Sequence, residues 1–171
     1  PAPVERVMEL VQQGAIAIKG NHDQGVVRGP APTMIEEARR VVEWTRGQLS
    51  APQLAFLDAL PYTVEDLGCL FVHANAWAPS EWEYITGRTE AVRSMHATAA
   101  RHTFCGHVHE PKLYHLSGTG KIADFTPTAG VAVPVPSHRQ WLALPGSAGQ
   151  PSDGNPAACW ALFDTGRQTL T

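Results

Sequence analysis

Three short strand-like runs in this chain each stop against a polar motif that carries histidine, with glycine or another small residue beside it. Ala15–Ile18 leads through Lys19 into Gly20-Asn21-His22-Asp23, Cys69–Val72 ends on His73-Ala74, and His102–Cys105 ends on Gly106-His107-Val108-His109. Four-residue runs of this kind, bounded by glycine, read as short buried strands. A buried strand that delivers an imidazole at its end limits the fold, because loops at strand ends are where α/β sheets gather ligands.

The rest of the pattern is consistent with such a sheet. Val4, Val7, Met8 and Val11 recur at helical spacing and Gly14 stops the helix. Ile35, Ala38, Val42 and Thr45 predict a second helix, and Leu54 and Leu57 a third, with Pro52 in its first turn. Strands are predicted at 62–65 and 69–73 around the turn Asp66-Leu67-Gly68, and helices over 79–85 and 88–99. After 102–105, strands dominate: 112–116, 121–126, 130–135, 138–144 and 157–163, with the Gly/Pro-rich loop 145–156 among them. Helices alternating with strands early, and strands alone late, predict one α/β domain over 1–171 with a mixed or two-sheet core.

Each motif has a chemical reading and a plainer one. Gly20 lets the backbone turn, so that Asn21 offers a carbonyl oxygen, His22 an imidazole and Asp23 a carboxylate to orient it; the same residues would equally make an Asx-type turn. His73 is a ligand or a hydrogen-bonded core histidine. In extended backbone residues i and i+2 share a face, which predicts that His107 and His109 present their rings together, to one metal or two adjacent ones; the plainer reading is a solvated pair. Imidazole suits zinc, iron, nickel and, less selectively, manganese. Asn21 and four histidines delivered at three strand ends argue for a metal-centred hydrolytic site. His96, His102, His115 and His138 lack such settings and read as structural or surface residues.

Composition limits the partners. A net charge of −3 gives no electrostatic reason to expect nucleic acid or an anionic membrane, and no apolar run approaches the roughly 20 residues of a membrane span. The three cysteines, Cys69, Cys105 and Cys159, are scattered in apolar stretches, which predicts buried free thiols and a reducing cytoplasm.

The order Gly20-Asn21-His22-Asp23, strand-terminal His73-Ala74, then Gly106-His107-Val108-His109 resembles the calcineurin-like metallophosphoesterases of small bacterial type. Leu144-Pro145-Gly146-Ser147, the loop through Gly154 and the run Ala158–Asp164 extend the likeness over essentially the whole chain. The resemblance implies two facing sheets flanked by helices, and two divalent ions drawn from manganese, iron, zinc or nickel. It places Asn21, His73 and His107 on one ion and His109 on the other, with Asp23 behind His22. It further implies that a metal-activated hydroxide attacks a small phosphomonoester or phosphodiester, while His22 assists the leaving oxygen. Leu144 stands where bacterial relatives usually carry Asn. The family's opening Asp-x-His and Gly-Asp-x-x-Asp patterns occur nowhere in the chain, so a strand–helix–strand unit of about 30 residues or more is expected to precede Pro1. Without those carboxylates, one ion or none would be held well.

Two other functions compete. The same fold can serve as a non-catalytic metal- or phosphate-binding or interaction scaffold, a reading that the presence of His22 weakens. A metallo-β-lactamase-type hydrolase would place Asp-His directly after its His-x-His, where this chain has Glu110-Pro111. Protein phosphatases, nucleotide phosphodiesterases and dinucleotide polyphosphate hydrolases share these motifs. Trp77, Trp82 and Tyr84 either line a pocket or pack a short helix onto the core.

Overall fold

Gly14, at φ 100°, ends the first helix where the apolar spacing predicts. The computed structural model describes residues 2–32 and 34–171, which divide into a unit up to Tyr62 and a second unit Thr63–Thr171.

The first unit is helical: α1 (Ala2–Gln12), α2 (Asn21–Arg28), α3 (Glu36–Gln48) and α4 (Ala51–Ala59). Val26, Val42, Leu49 and Leu57 form its core, with Val4, Met34, Leu54 and Phe56 packed around them. Gly25 sits inside α2 because α3 lies close: a Cβ there would stand 3.2 Å from Val42 Cγ1. At the head of α4 the Gln53 carboxamide accepts from Ser50 N–H at 2.8 Å and donates to Glu5 of α1 at 3.1 Å.

Two expectations change here. Residues 15–18 do not form a strand, and Ile16 is 49% exposed. A strand exists by pairing, and here the backbone bond from Lys19 N–H to Pro61 C=O at 2.7 Å stands beside the chain after α4 without a ladder. Asn21 opens helix α2, where the sequence predicts a loop after a strand.

The second unit is built on a six-stranded sheet in the order β1-β2-β3-β7-β4-β5, from β1 (Thr63–Asp66), β2 (Cys69–Val72), β3 (His102–Cys105), β4 (Pro111–Leu116), β5 (Ile122–Phe125) and β7 (Gln140–Pro145). β2, β3 and β7 run parallel and the other pairs antiparallel. β6 (Val133–Pro134), β9 (Thr169–Leu170) and β8 (Phe163–Asp164) form a second, three-stranded sheet.

Strand alternation sorts the residues of the large sheet into two cores. Leu70, Val72, Cys105, Tyr114, Leu116, Leu142 and Leu144 join Ala91 and Met95 of helix α5 (Arg88–His96) on one face. Leu113, Trp141 and Ala143 turn to the other face, where they meet Val135, Leu170 and Phe163 beside the small sheet. The α/β architecture with two sheets therefore holds. Leu144 is 2% exposed, a core residue of β7. Cys69 and Cys105 are buried free thiols, as expected, and burial pushes Cys105 up to about 12; Cys159 is only half-buried.

No helix covers 79–85. Trp82 lies at φ 61°, outside the right-handed helical region, and the Asn75 side chain takes Ala78 N–H at 2.8 Å and Glu83 C=O at 2.8 Å, competing with helical bonding. The strand expected at 157–163 shrinks to Phe163–Asp164. Its partner β9 went unread because a two-residue strand carries too little periodicity; the turn between them is capped by Asp164, which accepts from Gly166 and Arg167 N–H at 3.0 and 2.8 Å.

Two charged sites on β4 and β5 set an acid response. Burial, then the Arg139 charge, lowers the His115 imidazole below 6.5. Hydrogen bonds from Arg88 and Lys112 hold the Asp124 carboxyl below 3.8. Above pH 6.5 His115 is neutral folded or unfolded. As pH falls through 6.5 the unfolded chain takes up the proton first, so stability declines until the folded value is passed. The Asp124 contribution is present above 3.8 and is lost as pH falls through its lowered folded value. Urea midpoints should therefore fall between pH 7 and 5, and His115→Gln should flatten that part of the curve. An unchanged slope in that variant rules out His115 as the source.

Candidate metal centre

The three parallel strands β2, β3 and β7 bring their C-terminal ends to one edge of the sheet, the end at which α/β folds place ligands. β2 delivers His73, β3 delivers Gly106 to His109, and β7 runs into the 146–156 loop. Pairing of Val72 with Cys105 continues one residue further, where Gly106 N–H donates to His73 C=O at 2.9 Å.

That register brings two imidazoles together. His73 Nε2 stands 3.2 Å from His107 Nδ1, with ring planes at 61°. His107 Nε2 lies 2.9 Å from Trp82 C=O. A carbonyl only accepts, so Nε2 carries the hydrogen, and in its neutral form the ring presents its lone pair at Nδ1, toward His73. A metal-ligating histidine commonly donates its other N–H to a backbone carbonyl in this way.

The spacing also suits an ion. Two imidazole nitrogens at about 2.0–2.1 Å from one tetrahedral zinc-like ion stand roughly 3.3 Å apart. With His107 Nδ1 as the acceptor, His73 Nε2 is the donor across the same 3.2 Å. His73 and His107 thus fit two positions of a coordination sphere; among the described residues no group of three or more His, Cys, Asp or Glu side chains could hold a metal.

His107 and His109 do not lie on an extended segment, contrary to the alternation expected for them. β3 ends at Cys105, and the two residues sit at φ 67° and 65°, in the left-handed region. A non-glycine residue there costs about 1–3 kcal/mol and persists where its surroundings hold it. Val108 N–H donates to Gly106 C=O at 2.8 Å, and Ser152 N–H reaches His109 C=O at 3.1 Å, so the 146–156 loop ties down the turn. Gly146 anchors that loop at φ 93°, where a Cβ would come within 2.9 Å of Cys159 Cβ.

In the first unit, Gly20 caps α2, so Asn21, His22 and Asp23 occupy its first turn. Asp23 accepts from Gly20 N–H at 2.8 Å. Burial raises its carboxyl above 3.8, against the Gly20 bond and the charges of His22 and Lys19. The Asp23 carboxylate thus bonds to the helix cap, and its tie to His22 is electrostatic. His22 is exposed. Lys19 is buried, with Nζ donating to Asp58 C=O at 2.8 Å and lying 5.1 Å from the Tyr62 ring centre.

The sequence reading missed how Trp82 and Tyr84 act. Tyr84 stacks on the His107 ring at 3.9 Å and 16°, and Trp82 supplies both the carbonyl and an edge-on ring 5.8 Å from His73. Trp77 instead lies under the Arg93 guanidinium at 4.5 Å. The remaining histidines are set apart: His102 bonds Val135 C=O at 2.7 Å, His115 packs on Trp141, and His96 and His138 are exposed.

Comparison with known proteins agrees with this architecture. A metallophosphoesterase from Sphaerobacter thermophilus superposes with a TM-score of 0.78 at 31% identity, over 95% of this chain and 67% of that one. A hypothetical protein from Pyrococcus horikoshii OT3 shares the fold with a TM-score of 0.71 at 16% identity, over 98% of this chain and 66% of its own. An uncharacterized protein of Methanocaldococcus jannaschii is 28% identical over 168 residues; the match spans 92% of this chain but only 63% of that protein's length. The calcineurin-like phosphoesterase superfamily domain matches residues 1–168, and the chain belongs to that superfamily.

Proposed function

We propose that this chain supplies the histidine-rich part of a metal-dependent phosphoesterase acting on small phosphomonoesters or phosphodiesters. The observation that carries the proposal is the pair His73 Nε2 and His107 Nδ1, 3.2 Å apart at the ends of adjacent parallel strands, with Trp82 C=O fixing the His107 tautomer. In this reading His73 and His107 bind one divalent ion. The family's motif order adds Asn21 to that ion, assigns His109 to a second, and gives Asp23 a supporting role behind His22. The ions, with manganese the first to try, supply Lewis acidity toward the charge that develops on the phosphoryl oxygens. Hydrolysis forms a P–O bond from water and breaks the ester P–O bond, and His22 places a proton on the departing oxygen.

Chelation tests the proposal. The full-length protein treated with EDTA should lose hydrolysis of p-nitrophenyl phosphate and of its bis ester, and manganese should restore it. Turnover that survives exhaustive chelation overturns the metal assignment.

The second reading is a metal- or phosphate-binding or interaction scaffold of the same fold without catalysis. Metal-loaded full-length protein that turns over no phosphoester would support it. The buried free thiols Cys69 and Cys105 suit a reducing compartment, which we take to be the cytoplasm. No helix among the described residues is long and apolar enough to cross a membrane.

A further inference from the structure

We infer that the segment Trp82 to Tyr84 is a clamp that presets the His107 ring, with Tyr84 as a positioning residue and Asn75 as the latch that holds the clamp closed. This rests on the reading of His107 as a metal ligand.

An imidazole has two soft torsions, and a ligand must hold both before the ion arrives if binding is not to bear the ordering cost. The clamp addresses them separately. Trp82 C=O, 2.9 Å from His107 Nε2, fixes which edge of the ring faces His73. The Tyr84 ring, parallel to the imidazole within 16° and 3.9 Å from it, fixes the plane. The two contacts flank one residue, Glu83, and that residue is bound from three directions. Asn75 Nδ2 donates to its carbonyl at 2.8 Å, Trp77 Nε1 reaches its carboxylate at 3.4 Å, and Arg93 of α5 meets the same carboxylate at 3.4 Å.

Asn75 has 0% exposure and stands two residues beyond His73. Its other end accepts from Ala78 N–H at 2.8 Å, so one carboxamide closes the loop at both ends. Ala76 N–H, bonded to Ser94 Oγ at 3.0 Å, pins the start of the same loop to α5. The strand end that delivers His73 thereby also sets the position of the clamp on His107, which couples the two rings. Trp82 at φ 61° is the strained residue of the segment, located where the clamp touches.

Because Asn75 lies in the core, the test is placed on Tyr84, which is 53% exposed and whose ring can be removed without opening the core. Manganese binding to the metal-free full-length protein is measured by calorimetry for wild type, Tyr84→Ala, Tyr84→Phe and His107→Gly. Long-range proton–nitrogen spectra of the metal-free proteins report the His107 tautomer. Tyr84→Ala should bind manganese about tenfold more weakly, in the range usual for loss of a ligand's supporting partner. With its plane released, the His107 ring should swing out of line with Trp82 C=O and its signals should average between tautomers, and Tyr84→Phe should restore both readouts. Wild-type affinity in Tyr84→Ala, or a loss that phenylalanine does not restore, overturns the clamp while leaving the metal reading standing. Wild-type affinity in His107→Gly overturns the metal reading and the clamp with it.

Discussion

On the proposed function, replacing His22 by alanine is expected to lower phosphoesterase turnover of the full-length protein by about 10²–10⁴-fold, the usual worth of a positioned general acid or base. Manganese affinity and the denaturation midpoint should stay at wild-type values. The separation follows from placement. His22 is exposed in the first turn of α2, outside the core formed by Val26, Val42, Leu49 and Leu57. An exposed substitution of this kind changes stability by about 0.5 kcal/mol or less. The cap of the helix does not depend on it, since the bond to Gly20 N–H comes from Asp23. A measured kcat and a calorimetric metal titration on the same sample decide the matter. Full turnover in the variant would remove His22 from the chemistry, and a parallel loss of metal would make it a ligand instead.

The largest stability effect is expected at Leu142. Its side chain is 0% exposed on β7, the strand between β3 and β4, and it belongs to the core shared with Leu70, Val72, Met95 and Cys105. Leu142→Ala removes the buried methyl groups and leaves a cavity that packed strands on both sides cannot close. The cost should fall at about 3–5 kcal/mol, the upper part of the range for such truncations. Leu144→Ala, also buried on that face but one residue from the strand's end, serves as the comparison. Urea unfolding at constant slope measures both, and a loss under about 1 kcal/mol at Leu142 would show that the site collapses.

Much of this was legible because the controlling signals are local. Gly14 ended its helix, Pro52 fell in the first turn of α4, and Asp66-Leu67-Gly68 turned one strand back on the next, with Leu67 and Gly68 both at positive φ. The alternation in Trp141, Leu142, Ala143 and Leu144 was likewise visible, since period two is written directly into a strand. Signals that depend on distant partners were not. Residues 15–18 have the composition of a buried strand, and composition cannot supply a neighbour to pair with. Residues 79–85 look helical until the buried Asn75 carboxamide claims Glu83 C=O among them and Ala78 N–H just before them. His73 and His107 do stand side by side at the ends of neighbouring strands, but the contact from Trp82 is a backbone carbonyl, which no side-chain pattern reveals.

The left-handed backbone at His107 and His109 has a practical consequence for any mutational dissection. Alanine at either position removes an imidazole and also leaves a Cβ in a conformation that disfavours one. Its effect would mix lost coordination with altered loop geometry, and the two could not be separated by measurement. Glycine removes the ring while accepting the turn as it stands, so the reference state for these two residues is glycine. Asparagine, the other residue at ease there, brings its own carbonyl oxygen and is better used to ask whether the position demands nitrogen. The shape of the chain at these two points thus decides which amino acid counts as a deletion.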